Sequence, residues 1–294
     1  MKNLSILIPI YNDVCTTLVS TLCQQAEALP ISYEIIVADD GSTHLDCVEA
    51  NRAINRMPHS RVIERPVNSG RAAIRNFLAE QSRYEWLLFI DGDMTVCRND
   101  YLRRYAETDA DSHSADNAVF DGGITVGRVK AGNLRSLYEK ASEQSFTAQR
   151  RQRSPYHDFH TANFLVRRDI MLQHPFDLRF RHYGYEDVLF GKEMERHRVG
   201  LCHIDNPLSF ERFESNSHFV SKTEEGLRTL HDFRADLQGY SRMLSRVSAM
   251  PRPAVSLMRL WHRLFGAFER RMLCGTHPRL AVFHLYRLGY YLSL

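Results

Sequence analysis

An apolar run that ends in two acids decides the fold of this chain: WLLFIDGD, residues 86–93. Five consecutive apolar residues followed by a turn signal indicate a strand that is buried on both faces, as in a parallel sheet. Other strand-like runs occur at residues 4–10, 34–38, 61–64 and 119–120. Because stretches of helical periodicity separate them, the pattern predicts an α/β fold with a mostly parallel sheet flanked by helices.

The rest of the chain is predicted to be largely helical. Ser42 or Thr43 is expected to cap the helix after the second strand, and another helix is expected over residues 71–81. Further strands are predicted within 124–129 and 159–166, and helices within 131–152, 222–249 and 254–294. We therefore expect a domain of residues 1–235 and a basic amphipathic helical tail of residues 236–294.

Charge is distributed unevenly along the 294 residues, whose formal net charge is +3. From Tyr240 onward there are nine arginines, no lysine and one acid, Glu269, so this tail carries +8 and the preceding 239 residues carry −5. Such a tail either lies on anionic lipid or packs on its own domain with an arginine-rich outer face. No sequence motif other than charge suggests a nucleic-acid partner, so none is expected.

The six cysteines are scattered, which favours reduced thiols in a cytoplasmic protein. The N-terminus runs directly into the first strand without a secretory signal, and no stretch approaches the length of a membrane span. We expect a cytoplasmic enzyme, with peripheral contact at the inner face of the membrane if the tail binds lipid.

The acids at the strand ends are the candidate functional residues. Ligands of doubly wound sheets bind outside the carboxyl ends of the strands. Asp91 and Asp93 follow the most apolar strand, and a divalent metal such as Mg2+ or Mn2+ favours oxygen ligands of this kind together with diphosphate oxygens. Asp39 and Asp40 follow the second strand, where they either accept from a nucleobase and ribose or form an Asp-Gly turn.

Four segments in this order resemble the donor half of the family 2 glycosyltransferases with the GT-A fold. They are LSILIPIYN at residues 4–12, YEIIVADDGS at 33–42, NSG with AIRN within 68–76, and DGD at 91–93. The resemblance is close over residues 3–95 and extends more loosely to about residue 230. It implies a nucleotide-diphosphate sugar as the donor and Mn2+ or Mg2+ as the metal.

The resemblance also assigns donor-side roles. It places Pro9, Tyr11 and Asp40 around the nucleobase, with Asp40 accepting from the imide N–H of a uracil and Asp39 supporting that wall. It places Arg71 or Arg75 near the base or diphosphate, although Arg75 could instead form a salt bridge to a strand-end acid. Asp91 would contact ribose or metal-bound water, and Asp93 would bind the metal directly.

A second set of residues is expected on the acceptor side. The segment YGYED, residues 183–187, resembles the acceptor-side motif of inverting GT-A enzymes, with Asp187 as the general base and Glu186 orienting the acceptor. The alternative is an acidic helix N-terminus. Asn163 matches a family segment near the acceptor and is expected to line the sugar pocket.

A histidine often completes the metal site in relatives, just after an Asn-Pro pair. Here Asn206-Pro207 is not followed by one, so His218 is the remaining candidate, and the sequence departs from the pattern at this point. His157 and His160 have metal-binding side chains, but no spacing argument supports a site there.

The favoured interpretation is an inverting sugar transfer by single displacement, from a UDP-sugar to a saccharide or lipid-linked acceptor, as in polysaccharide biosynthesis. Two alternatives remain open. DGDMT at residues 91–95 also matches the nucleophile loop of haloacid dehalogenase-like phosphohydrolases, with Asp91 as nucleophile, although that loop normally follows the first strand. The other is a non-catalytic carbohydrate- or nucleotide-binding module.

Overall fold

The computed structural model describes residues 1–111 and 117–294. Its strands are β1 (Asn3–Ile10), β2 (Ser32–Asp39), β3 (Ser60–Glu64), β4 (Trp86–Ile90), β5 (Met94–Thr95), β6 (Asn117–Asp121), β7 (Ile124–Val126), β8 (Asn163–Arg167), β9 (Gly200–His203) and β10 (Leu208–Phe210). Its helices are α1 (Thr16–Glu27), α2 (Leu45–Arg52), α3 (Arg71–Gln81), α4 (Tyr101–Asp111), α5 (Leu134–Glu143), α6 (Ala148–Arg151), α7 (Arg168–Gln173), α8 (Glu186–Arg196), α9 (Asn216–Asp232), α10 (Arg242–Ser248), α11 (Arg252–Cys274) and α12 (Leu280–Ser293).

Seven strands form the main sheet in the order β3-β2-β1-β4-β8-β6-β9. β1 runs parallel to β2 and β4, whereas β8 runs antiparallel to β4 and β6. The predicted α/β fold with a mostly parallel sheet and a helical C-terminal region is therefore confirmed. β8 is the exception, because it inserts between two strands of the opposite direction.

The buried central strands explain the continuous apolar runs of the sequence. Alternate residues of β1 enter two different cores: Ile6 and Ile8 pack on the side of α1, and Leu7 packs on the side of α3. Every residue of β4 is buried. A strand covered by helices on both faces needs apolar residues at every position rather than at alternate ones.

A small second sheet holds the chain that follows β4. Its order is β5-β10-β7, and Met94 pairs with Phe210 in an antiparallel register. This pairing fixes the turn at residues 91–93 between the two sheets. The strand predicted over 124–129 is present but shorter, since β7 ends at Val126.

Two helix predictions were wrong in detail. α2 begins at Leu45, and neither Ser42 nor Thr43 caps it. Both residues instead bind Asn12 in the loop after β1: the Asn12 amide donates to Ser42 Oγ over 2.6 Å, and the Thr43 amide donates to Asn12 Oδ1 over 2.8 Å. The helix expected over 222–249 is divided into α9 and α10.

The C-terminal helices pack on the rest of the protein. Phe283 of α12 and Leu273 of α11 are buried in one cluster with Leu134 of α5 and Phe219 of α9. Among the helices that the structure describes, none is long and apolar enough to cross a membrane. The division of the chain near residue 235 stays a prediction.

Candidate active site

A cleft opens where the carboxyl ends of β1, β2 and β4 meet, and it has two lobes. The β1 lobe, of about 460 Å³, is bounded by the loops after β1 and β2 and by the start of α3. The α5 lobe, of about 310 Å³, is bounded by β7, α5 and the start of α8. This is the position at which doubly wound sheets bind ligands.

The two lobes share one set of lining residues: Arg71, Asp91, Asp93, Tyr183 and Lys222. The cleft is therefore continuous through this junction. The Arg71 guanidinium lies 5.2 Å and the Lys222 ammonium 4.9 Å from the centre of the Tyr183 ring. Two cations thus stand at the junction, where they can attract a ligand with negative charge.

Asp91 is anchored by the buried Arg75. The Nη2 atom of Arg75 donates to Asp91 Oδ1 over 2.6 Å, and its Nη1 lies 3.5 Å from Glu186 Oε1. Arg71 adds a longer ion pair to Asp91, at 3.6 Å. Because only 1% of the Arg75 side chain is exposed, it contacts the strand-end acid rather than a ligand. Arg75 therefore forms the salt bridge to a strand-end acid, which was one of its two predicted roles.

Asp93 differs from Asp91 in having no partner. Within residues 1–111 and 117–294, its half-buried carboxylate makes no hydrogen bond or ion pair. Burial, and next the neighbouring Asp91, raise the pKa of Asp93 to about 6. An oxygen ligand whose charge is not neutralised by the protein suits a hard divalent cation, so this residue fits the expected metal.

His218 is the other proposed metal ligand. It is exposed in the first turn of α9 and lines the β1 lobe together with Asp93. In the part of the chain that the structure describes, no three acidic, histidine or cysteine side chains are grouped as a metal site. A metal held here would take most of its ligands from the donor and water, and the role of His218 stays a prediction.

Gly92 is required by the close approach of β1. A Cβ atom at this position would lie 2.5 Å from Ile10 Cγ2 and 3.3 Å from the Pro9 carbonyl oxygen. The Gly92 carbonyl accepts from Arg212 over 2.9 Å, and the same arginine binds Asp13 in the loop after β1. The turn that carries Asp93 is thus held on both sides.

The predicted nucleobase residues surround the β1 lobe. Pro9 and Tyr11 line it, and 47% of Tyr11 is exposed, which leaves its ring available for stacking. Asp39 is buried behind the lobe and accepts from the Ser42 amide over 2.8 Å, as expected of a supporting residue. Their contacts with a base stay predictions.

Asp40 lines the lobe but is already engaged. Its carboxylate accepts from the amides of Ser69 and Gly70, over 3.0 and 2.9 Å, from Ser69 Oγ and from Arg65. These four bonds fill the acceptor positions of a carboxylate. Asp40 would have to give up one of them to accept from a uracil imide, so that role stays a prediction.

Asp187 faces the α5 lobe from the second position of α8. The chain turns sharply before it, because Gly184 and Tyr185 have φ values of +94° and +70°. Burial, and next the charge of Glu186, raise the pKa of Asp187 to about 6. A carboxylate of that basicity can accept a proton from a bound hydroxyl near neutral pH.

Glu186, which was predicted to orient the acceptor, does not line the α5 lobe. It is 4% exposed, and its Oε1 turns towards Arg75 and Arg71. The charge of the buried Arg75, with a longer contact from the exposed Arg71, draws the carboxylate inward. In this position Glu186 holds Arg75, and its role in orienting the acceptor stays a prediction.

Asn163 lines the α5 lobe, as expected. Its Oδ1 accepts from the hydroxyls of Tyr101 and Tyr105, and its Nδ2 donates to the carbonyls of Gly123 and Asn206, all within 2.7 to 2.9 Å. An amide has no further hydrogen-bonding capacity after these four. Asn163 therefore braces the wall of the α5 lobe, and its contact with a sugar stays a prediction.

Several cleft residues were missed by the sequence interpretation. The sequence pattern marks Tyr183 only as part of a turn and does not single out Lys222 or Arg135. Lys222 comes from α9 and Arg135 from α5, far along the chain from the strand ends that carried the motifs. The one available signal was a cation among the apolar positions of each amphipathic helix, which also occurs on ordinary surfaces.

Comparisons with known proteins agree with this geometry. The family model described as Glycosyl transferase family 2 matches residues 5–174. The poly(ribitol-phosphate) beta-glucosyltransferase of Bacillus spizizenii is 33% identical over 137 residues, which are 46% of this chain and 20% of that protein. An uncharacterized glycosyltransferase of Haemophilus influenzae is 31% identical over 107 residues, which are 35% of this chain and 41% of that protein. The chain thus spans less than half the length of either relative.

A solved structure shares the fold over the whole chain. Residues 1–349 of TarS from S. aureus superpose with a TM-score of 0.52 and 17% identity, covering 100% of this chain and 90% of that one. The same protein in complex with UDP-GlcNAc gives a TM-score of 0.52 and 15% identity, with the same coverage. At these identities the likeness concerns the fold alone.

Proposed function

The chain belongs to glycosyltransferase family 2, and on that premise we propose that it transfers a sugar from a UDP-sugar to an acceptor hydroxyl with inversion. The acceptor is a saccharide or a lipid-linked saccharide. One observation carries the proposal: the unneutralised Asp93 lies at the junction between a lobe with nucleotide-binding features and a lobe that contains a basic carboxylate, Asp187.

The β1 lobe holds the nucleotide part of the donor. The exposed ring of Tyr11 stacks on the base, and the loop held by Asp40 closes the lobe. The diphosphate lies at the junction, where Arg71 and Lys222 attract it. The UDP-GlcNAc complex of TarS, which has the same fold, supports a uridine donor.

Asp93 would hold Mn2+ or Mg2+, and His218 is the candidate for a further ligand. When bound, the metal neutralises charge on the departing diphosphate. Asp91 contributes less directly, because Arg75 and Arg71 occupy its carboxylate. Its proposed contact with ribose or metal-bound water uses the lone pairs of the Asp91 carboxylate that these two arginines do not occupy.

Asp187 removes the proton from the acceptor hydroxyl in the α5 lobe. The acceptor oxygen then forms a bond to the anomeric carbon while the bond from that carbon to the diphosphate oxygen breaks. The proton ends on Asp187, and the electron pair of the broken bond leaves with UDP. The raised pKa makes Asp187 a stronger base than an exposed aspartate while leaving it ionised at pH 7.

The test is a screen of UDP-, GDP- and dTDP-sugars with Mn2+. A donor that binds the folded state raises the melting temperature, and one that is hydrolysed or transferred releases its nucleotide. We expect stabilisation and nucleotide release with a UDP-sugar. Absence of both with every donor would contradict the proposal. Membership of the family makes the phosphohydrolase interpretation unnecessary, since the two acids have a place in a transferase site.

The second part of the proposal is a contact with lipid, which α11 makes. One side of this helix exposes large apolar residues at helical spacing: Leu257, Leu260, Trp261, Leu264, Phe265 and Phe268. Arg252, Arg263 and Arg271 are exposed on the same helix, and its one acid, Glu269, is buried. An apolar stripe flanked only by cations is complementary to an anionic bilayer surface.

We therefore assign the tail of residues 236–294 a peripheral membrane contact through α11. Sedimentation with phosphatidylglycerol vesicles should carry the protein down, and Trp261→Glu with Phe265→Glu should abolish this. Phosphatidylcholine vesicles should bind less. Two results would contradict this contact. One is failure of the wild-type protein to bind either vesicle, and the other is a stable dimer that the same two substitutions dissociate.

A further inference from the structure

A third concavity, of about 780 Å³, adjoins the α5 lobe and has no place in the sugar transfer described so far. We name it the α12 groove, because α5, α10, α12 and residues 157–160 line it. Tyr138, Ser142, Phe146 and His160 line both the α12 groove and the α5 lobe. A chain lying in the groove can therefore continue into the lobe that contains Asp187.

The α12 groove is cationic. Its lining includes Arg242, Arg246 and Arg287 and a single carboxylate, Asp158. Arg242 donates to Asp158 over 2.6 Å, so this pair is neutral. Within the described residues, Arg246 and Arg287 have no carboxylate partner, and both charges remain uncompensated.

Arg287 is held in place while keeping donors free. Its guanidinium lies 5.6 Å from the Tyr138 ring and 5.4 Å from the Phe283 ring, and Nη1 is 3.4 Å from the Tyr138 hydroxyl. Its Nε is buried without an acceptor among the described residues. A partly buried guanidinium that is packed against rings but lacks an anion is a prepared anion site.

Imidazoles complete the wall of the α12 groove. The pKa of His284 is lowered by burial and next by the charges of Arg287 and Arg246. His157 is exposed beside Tyr240, with 4.4 Å between the ring centres. Arginines, imidazoles and tyrosine hydroxyls together offer several donors along one groove, as recognition of phosphate oxygens requires.

We propose that the α12 groove binds a phosphodiester-bearing segment of the acceptor, and so delivers its hydroxyl to Asp187. The inference rests on the proposed function for the direction in which the acceptor runs. Two arginines without a carboxylate partner in one groove suit an acceptor that carries negative charge. A neutral oligosaccharide would leave both of them without counterions. The segment belongs to the acceptor rather than to lipid, because the groove is concave and continuous with the α5 lobe, whereas the apolar stripe that suits a bilayer lies on α11.

The test uses a synthetic glycerol-phosphate hexamer as the probe and a neutral oligosaccharide of similar length as the comparison. Calorimetry with the full chain should show hexamer binding that weakens as NaCl is raised from low to high concentration. We expect Arg246→Gln, Arg287→Gln and the double variant to weaken binding, the double variant by about tenfold or more. Arg56→Gln, on an exposed turn away from the groove, should bind as wild type does.

Two further measurements separate the possible failures. The melting temperature with and without UDP and Mn2+ reports folding and the donor site of each variant, and Arg246→Gln, on an exposed side chain, keeps the test valid if Arg287→Gln unfolds. If UDP and Mn2+ do not raise the melting temperature of the wild type, the proposed function is contradicted. Hexamer binding would still support the groove as a site for phosphodiesters. Equal hexamer affinity in wild type and the double variant overturns the inference. So does binding of phosphatidylglycerol vesicles through Arg246 and Arg287 with no binding of the hexamer.

Discussion

The Nη2 atom of Arg75 donates a 2.6 Å hydrogen bond to Oδ1 of Asp91, and the arginine is 1% exposed. Because of this pair, the two acids that follow β4, Asp91 and Asp93, lie in different electrostatic environments. Asp91 has its charge balanced from inside the protein, whereas Asp93 has no partner within the described residues. The arginine also reaches Glu186, so it ties the donor-side turn to the helix that carries Asp187.

Replacing Arg75 should therefore destabilise the protein strongly. Arg75→Leu leaves Asp91 and Glu186 with only the longer contacts to the exposed Arg71, and breaking a buried pair in this way costs about 3–5 kcal/mol. Urea unfolding measures the change in the free energy of unfolding. The matched control is Arg52→Ala, which breaks an exposed pair with Glu64 and should change the free energy of unfolding little. Equal losses in the two variants would contradict a buried anchor.

The rate of transfer should have an acidic limb governed by Asp187. A base with a pKa of about 6 is progressively protonated below that pH, so kcat/KM should fall about tenfold for each pH unit below 6. Asp93 titrates in the same range, so UDP and Mn2+ affinity must be measured at each pH. Asp187→Glu should shift the pH at which kcat/KM falls, without changing how UDP affinity depends on pH. A rate independent of pH between 5 and 7 would show that Asp187 is not the base.

The same raised pKa predicts a cost in stability. The folded protein holds the Asp187 proton more tightly than the unfolded chain, whose aspartate has a pKa near 4. Stability is therefore lost as the pH rises from about 4 to about 6, by at most about 3 kcal/mol from this group. Asp187→Asn should raise the melting temperature at pH 8 and have little effect at pH 4. A lower melting temperature of the variant at pH 8 would contradict this account.

Gly92 should tolerate no side chain without loss of the donor site. In Gly92→Ala the new Cβ would lie 2.5 Å from Ile10 Cγ2, so the turn that carries Asp93 must shift. We expect weaker UDP and Mn2+ binding and a lower melting temperature. Combining it with Ile10→Ala removes the clash, so the double variant should lose less stability than the two single variants together. Strict additivity would show that this contact does not set the turn.

Much of this fold followed from the sequence for a simple physical reason. β1, β2 and β4 are buried on both faces, so their residues are largely apolar, and the turns after β2 and β4 carry acids that the local pattern reveals. β8 was harder, because nothing in residues 159–166 specifies that the strand runs antiparallel between β4 and β6. Strand order depends on contacts across the whole chain.

The site was predictable only in part for the same reason. Asp93 and Asp187 stand at ends of elements, where sequence position implies location. Asn163 lines the α5 lobe as expected, but the sequence does not reveal that its amide is engaged in a buried hydrogen-bond network. The pairing of Arg75 with Asp91 and Glu186 spans 16 and 111 residues, and its strength depends on burial that composition does not show.

The role of Asp93 is the central claim, and one measurement tests it most directly. UDP release from a UDP-sugar is compared for wild type, Asp93→Asn and the exposed Asp46→Asn, with Mn2+ and with EDTA. Removal of the metal, or of its ligand, withdraws several kcal/mol of transition-state stabilisation, so we predict a loss of about a hundredfold or more in wild type with EDTA and in Asp93→Asn with Mn2+. Asp46→Asn should match wild type. Undiminished release in Asp93→Asn, or in wild type with EDTA, would contradict the account.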